Sequence, residues 1–242
     1  MSRARLFAYA RWQVSDFLVE RLPGVGVITA SVGMLAWLTG RPTLDRVAAL
    51  GDDPTPLALI LFANLLGMVW FPTAIVAANQ VISGDRATGR FRLLFAKPVS
   101  TRRYYLQAFV INGVLFLAAA TVLLAPVVAV LQAPWRALGG AAAILAAAYL
   151  AVGGVCFLFS ALTRLDWLFA TALVLVEIVL HSRFAEARWT RVMPPFHLLT
   201  GQIDALRDGR GADWGELAVL AATGLLAVAI GVWIIRRRPL AT

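Results

Sequence analysis

Long apolar stretches, each near the roughly 20 residues that cross a bilayer as a helix, recur along this chain with short charged segments between them. Only helices and closed barrels can cross lipid, because every main-chain polar group must be paired there. A barrel needs alternating segments of about ten residues, and the sequence has none. The composition agrees: 60% of the residues are hydrophobic and 14% charged, against about 25% charged in a soluble domain. The expected fold is an all-α polytopic membrane protein, one transmembrane domain over residues 1–242. Six spans are read, at about Leu22–Gly40, Leu57–Ser83, Gln107–Leu131, Leu138–Leu162, Trp167–His181 and Glu216–Ile235.

The charges set an orientation. With both termini in the cytoplasm, fourteen of the 22 Lys and Arg residues face inward, as the positive-inside rule requires. The eight outer arginines are matched by outer acids such as Asp52, Asp53, Glu186 and Asp208. This topology accounts for the sequence pI of about 11.1, so no nucleic-acid partner is expected. Arg, Asp and Glu interrupt the first 21 residues, unlike a cleavable signal peptide. The single cysteine, Cys156, excludes a disulfide within the chain and reads as a small buried hydrophobe.

Several segments depart from plain spans. Over residues 1–21, Leu6, Phe7, Ala10, Val14, Phe17 and Leu18 share one helical face, with Arg5, Gln13, Asp16 and Glu20 opposite. An amphipathic helix in the membrane interface is expected, favoured over a helix packed on the protein, and broken at Pro23-Gly24. Span 2 at 27 residues reaches roughly 40 Å and should project into the cytoplasm, with a kink near Pro72. Span 5 at 15 residues reaches only about 22 Å. Residues 182–215 mix Trp189, Pro194-Pro195-Phe196 and Trp214 with charges, which suits short re-entrant helices. Gly139, Ala143, Ala147 and Ala151 form a small-residue stripe for close helix packing inside the chain.

The most informative segment lies between spans 2 and 3. Asp85 can cap a helix that Pro98 stops, and Phe91, Leu94 and Phe95 fall on one face of it. Arg86, Arg90, Arg92 and Lys97 project elsewhere, and Ser100 or Thr101 can cap the helix of span 3. Topology explains the basic residues. It does not explain an apolar face held between a cap and a proline, so a protein-docking role is weighed against lipid headgroups.

The run Ile82, Asp85-Arg86, Gly89, Leu93-Leu94, Pro98-Val99-Ser100 and Arg102 resembles the signature of ABC-2 type transporter permeases. Asp85 stands where Glu is usual, Arg90-Phe91-Arg92 replaces a Thr-Leu-Glu type of sequence, and Arg102 is one position late after Thr101. The resemblance implies a whole layout: an interfacial N-terminal helix, six spans, a coupling helix over 84–98, re-entrant helices between spans 5 and 6, and a basic C-terminus such as Arg236-Arg237-Arg238. It implies a permease subunit, an exporter by family, in a bacterial or archaeal plasma membrane. A separate ATPase subunit, two copies per transporter, would dock on Asp85, Arg86, Gly89, Phe91, Arg92, Leu94, Phe95 and Pro98. ATP and Mg would belong to that partner, since this chain lacks a GxxxxGK[ST] loop. A second permease chain would complete the transporter.

Polar residues inside the spans are few. Glu177 is the one acid well inside a span, with His181 one turn on as its expected partner. A carboxylate there costs about 2.5–3.5 kcal/mol on insertion scales, which makes Glu177 a candidate for the substrate pathway. Asn64 and Asn112 are further candidates, more simply read as helix–helix hydrogen bonders. His197 sits beside Pro194-Pro195-Phe196 in the outer segment, and two histidines without nearby acids or Cys make a weak metal case; no metal or cofactor is expected on this chain. No catalytic constellation appears at usable spacing, so an enzyme is not expected. The alternative is an ABC-linked mechanotransmission or cofactor-maturation subunit that moves no free small substrate. Six spans without an ectodomain count against the first of these. The sequence does not name a substrate.

Overall fold

The computed structural model describes residues 3–79, 81–89, 100–184 and 193–237, and every regular element among them is helical. In chain order these are α1 (Arg3–Asp16), α2 (Leu22–Leu35), α3 (Arg41–Ala49), α4 (Thr55–Ala78), α5 (Ser83–Ala87), α6 (Thr101–Leu131), α7 (Arg136–Leu162), α8 (Asp166–Phe184), α9 (His197–Arg207) and α10 (Trp214–Arg237). Six helical stretches are long and apolar enough to cross a membrane, the build of a multi-pass membrane protein.

The first of them is longer than the sequence announces. α1, α2 and α3 run into one another through two π-turns, Phe17–Arg21 and Ala36–Gly40, giving an apolar helix from Tyr9 to Ala49. The expected break at Pro23-Gly24 is absent. In the first π-turn the Leu22 N–H reaches back five residues to the Phe17 carbonyl, and Pro23 sits in the first turn of α2, where a missing amide hydrogen costs least. α1 also packs on the protein. The Gln13 amide donates to the Tyr104 carbonyl at 3.2 Å, and Trp12 stacks on the Tyr104 ring. Gln13, assigned by periodicity to a polar face, is 4% exposed.

Spans 2 and 5 also differ from their expected lengths. α4 ends at Ala78 because Asn79 turns extended, with φ −61° and ψ 147°. Its 24 residues make about 36 Å, close to the bilayer rather than far beyond it. The helix continues through Pro72, and the Thr73 hydroxyl donates to the Val69 carbonyl one turn back. At its other end Asp53 accepts the Thr55 N–H at 3.0 Å, and this bond holds the Asp53 carboxyl below the ordinary carboxylate range. α8 has 19 residues, about 28 Å, because the helix runs past His181 to Phe184.

α7 is the central helix. Two thirds of its apolar stretch is buried, against 17% for α8. Its small residues bring neighbours close. Ala147 and Ala151 of the expected stripe are buried within the chain, while Gly139 at the helix start is exposed. A closer approach lies elsewhere, where α7 meets Gly224 of α10: a Cβ on Gly154 would stand 2.3 Å from the Gly224 carbonyl oxygen, and one on Gly224 would overlap the Leu150 carbonyl. On another face the Tyr149 ring covers Gly113 of α6, and its hydroxyl donates to the Phe109 carbonyl at 2.7 Å. Contacts of this kind need glycine because any side chain would push the helices apart.

The passes alternate. Gln13, Asn79, Tyr104 and Ser160 gather at one end of the bundle, here the near end. Arg41 and Val130, and separately Asn64 and Arg207, meet at the far end. α9 is the expected short helix in the 182–215 segment, turned back onto the bundle with Leu199, Ile203 and Leu206 buried.

Candidate functional site

Among the described residues, two clusters of polar contacts between helices stand out, one at each end of the bundle. The first is at the near end, where α4 gives way to the proposed docking segment. Ser160, fully buried near the end of α7, accepts two main-chain hydrogen bonds, from Ile82 N–H at 3.0 Å and Ser83 N–H at 2.8 Å. These are the amides a helix start leaves unpaired, and a hydroxyl oxygen with two lone pairs serves both. A second tie runs from the Arg21 guanidinium to the Asn79 carbonyl at 3.3 Å. The chain entering the segment is therefore fixed to α7 and to the first long helix.

A helix forms at Ser83–Ala87, with Asp85 inside its first turn rather than at its cap, and Asp85 is buried. The helix does not run unbroken to Lys97. The Thr88 N–H closes on the Gly84 carbonyl at 3.0 Å, and Gly89 comes next at φ +68°. That left-handed conformation stops a helix and is tolerated chiefly by glycine, which gives Gly89 a physical reason. Asp85 also borders a polar notch of about 90 Å³ with Gln13, Asp16, Arg21 and Asn112. Phe91, Arg92, Leu94, Phe95 and Pro98 lie outside the described residues, as does the Arg86 side chain. At Ser100 the chain enters α6 without a side-chain cap.

The second place is at the far end, around α9. Three polar contacts hold this helix. At its start, Glu177 of α8 accepts the His197 main-chain N–H at 3.1 Å and lies 2.6 Å from His197 Nδ1. In its middle, Gln202 donates to Glu216 at 2.6 Å and accepts from the Asp213 N–H at 2.9 Å. At its end, Arg207 donates to the Asn64 side chain of α4 at 2.8 Å.

Glu177 therefore pairs with His197, not with His181 as helical spacing suggested. Its side chain is 1% exposed, and an ionised carboxylate so enclosed needs donors. With Glu177 ionised, the short contact places a proton on His197 Nδ1. His181 instead stacks on His197, ring centres 3.4 Å apart and planes within 5°. Its own Nδ1 is buried with no hydrogen-bond partner among the described residues, a loss of about 1–3 kcal/mol for a polar atom in such a place. Glu177, His181 and His197 each present one potential ligand atom, all within 4.8 Å of one another. The weak metal case in the sequence rested on the distance of His197 from any acid, and the fold removes that distance.

The three candidate pathway residues do not meet. Glu177 and Asn64 touch opposite ends of α9, about 15 Å apart along that helix. Asn112 is buried at the near end beside the polar notch. Asn64 makes an interhelical bond, the simpler of its two readings. A cavity of about 350 Å³ opens at the far end between α4, α7 and α9, lined by Arg136, Gln202, Leu206, Arg210 and Trp214 among others. Sequence reasoning passed over Ser160 and made little of His197. Ser160 had no signal, and a signal for His197 existed only in its place beside Pro194-Pro195-Phe196.

Among the described residues every regular element is helical, six helices are long and apolar enough to cross a membrane, and a polar junction stands at each end of the bundle. Known protein families, curated proteins and solved structures contain no match to the chain.

Proposed function

We propose that this chain is the transmembrane permease subunit of an ABC transporter, an exporter, driven by a separate ATPase that docks on residues 84–98. The observation that carries the reading is the double hydrogen bond from Ile82 and Ser83 to Ser160. A segment that receives force is useful only if its base is fixed to the helices that must move. Here the base is fixed to the most buried helix of the bundle. The Phe91, Leu94 and Phe95 positions supply the apolar contact surface, and Asp85 and Gly89 shape its entry. ATP and Mg sit on the partner, and a second permease chain completes the pathway across the membrane.

Affinity purification of the full chain from its own host tests this reading. Recovery of an ATP-hydrolysing ABC subunit supports it, and a chain recovered without one contradicts it. Transport assays on the recovered complex then separate an exporter from a subunit that transmits motion without moving a free substrate.

A further inference from the structure

We propose that Glu177, His181 and His197 form a binding site for a divalent transition-metal cation of the zinc type. Such a site stands independently of the permease reading. Glu177 and His181 lie one turn apart on α8, and α9 brings His197 to them. Two imidazoles and a carboxylate are a donor set for zinc-like ions, whereas calcium and magnesium take oxygen ligands. The set leaves a fourth tetrahedral position for water or another ligand.

The geometry is near what such an ion needs. Zinc bonds of about 2.0–2.1 Å hold tetrahedral ligand atoms roughly 3.3 Å apart. The three ligand atoms lie within 4.8 Å of one another, and the closest pair, Glu177 and His197 Nδ1, is at 2.6 Å. On binding, the neutral His197 ring carries its proton on Nε2 and leaves Nδ1 free to ligate; the pair parts by less than about 1 Å, and a turn of the His181 ring about its broad χ2 well brings its nitrogen in. A hydrogen-bond role for Glu177 and His197 accounts for those two residues. It leaves His181 Nδ1 buried against the other ring with no hydrogen-bond partner among the described residues, and a cation held by the His181 ring gives that ring a polar partner. His197 keeps 25% of its side chain exposed, so the site has an entry. Binding would pin the start of α9 to α8.

The test uses the full chain in detergent, stripped with a chelator and titrated with Co²⁺ as a spectroscopic probe. A saturable visible absorption band at one cobalt per chain is expected, and Zn²⁺ should bleach it and raise the melting temperature. His181→Ala leaves the Glu177–His197 contact in place, and Glu177→Gln keeps an oxygen for the His197 N–H. Each should weaken cobalt binding by about tenfold or more, with metal-free melting of His181→Ala close to the parent. No saturable band, or a band unchanged in both variants, overturns the proposal.

Discussion

Glu177 and His197 are 20 residues apart in sequence, and the carboxyl group of the first accepts the main-chain N–H of the second and lies 2.6 Å from its ring Nδ1. A buried acid in a span thus serves as the anchor for a helix outside that span. The anchor is local to the far end, while the drive proposed for this protein enters at the near end.

Removing that anchor should loosen α9 more than removing either of its other ties. Glu177→Ala removes the acceptor of the His197 N–H and the neighbour of its ring, a loss of about 1–3 kcal/mol. Asn64→Ala breaks an exposed bond at the other end of α9 and should cost under about 1 kcal/mol. Melting temperatures of the purified variants check the order, and equal losses would contradict it.

The α7–α10 seam should tolerate no side chain where the backbones meet. A Cβ at Gly224 would overlap the Leu150 carbonyl, and one at Gly154 the Gly224 carbonyl. Gly154→Ala and Gly224→Ala should each destabilise by about 1–3 kcal/mol or more, since backbone must shift. Gly139→Ala meets nothing within 4 Å and should be neutral or slightly stabilising. Thermal unfolding in one detergent compares the three directly.

Ser160→Ala should free the start of the 82–89 segment without disturbing the core, because alanine fills nearly the same space. Two buried amides then lose their acceptor, a cost of about 1–3 kcal/mol. Hydrogen exchange at Ile82 and Ser83 should quicken while exchange in the middle of α7 stays slow. Unchanged exchange at those two amides would show that Ser160 does not hold the segment's base.

Gly89 should resist substitution for a backbone reason alone. Its φ is +68°, and no atom of the described residues lies within 4 Å of a Cβ built there, so the backbone conformation is the obstacle. Gly89→Val should cost about 1–2 kcal/mol locally, read as faster exchange over residues 83–88.

Much of the fold was legible because apolar length is a strong signal. α6, α7 and α10 lie close to the stretches read from hydropathy, and the small residues at Ala147 and Ala151 pack inside the chain as their spacing implies. The first helix was misread at Pro23 because a π-turn changes the hydrogen-bond register without changing composition. Asn79 ended α4 early through its backbone conformation, which apolar periodicity does not report. At the far end, local spacing favoured Glu177 with His181, but α9 folds back and delivers His197 instead. Ser160 was invisible since one serine in an apolar helix carries no sign of what it will accept from another segment.

If an ATPase docks on the segment beginning at Asp85, an acid placed in its apolar face should break the contact, and Phe91→Asp is the variant to measure. The variant and the parent chain are each tagged, expressed in the native host and purified from membranes, with the amount of inserted chain measured alongside. Insertion should be equal. The parent should bring down an ATP-hydrolysing partner, and Phe91→Asp should lose that partner or its coupling to transport. Equal recovery of the partner with unchanged transport would contradict docking at this segment.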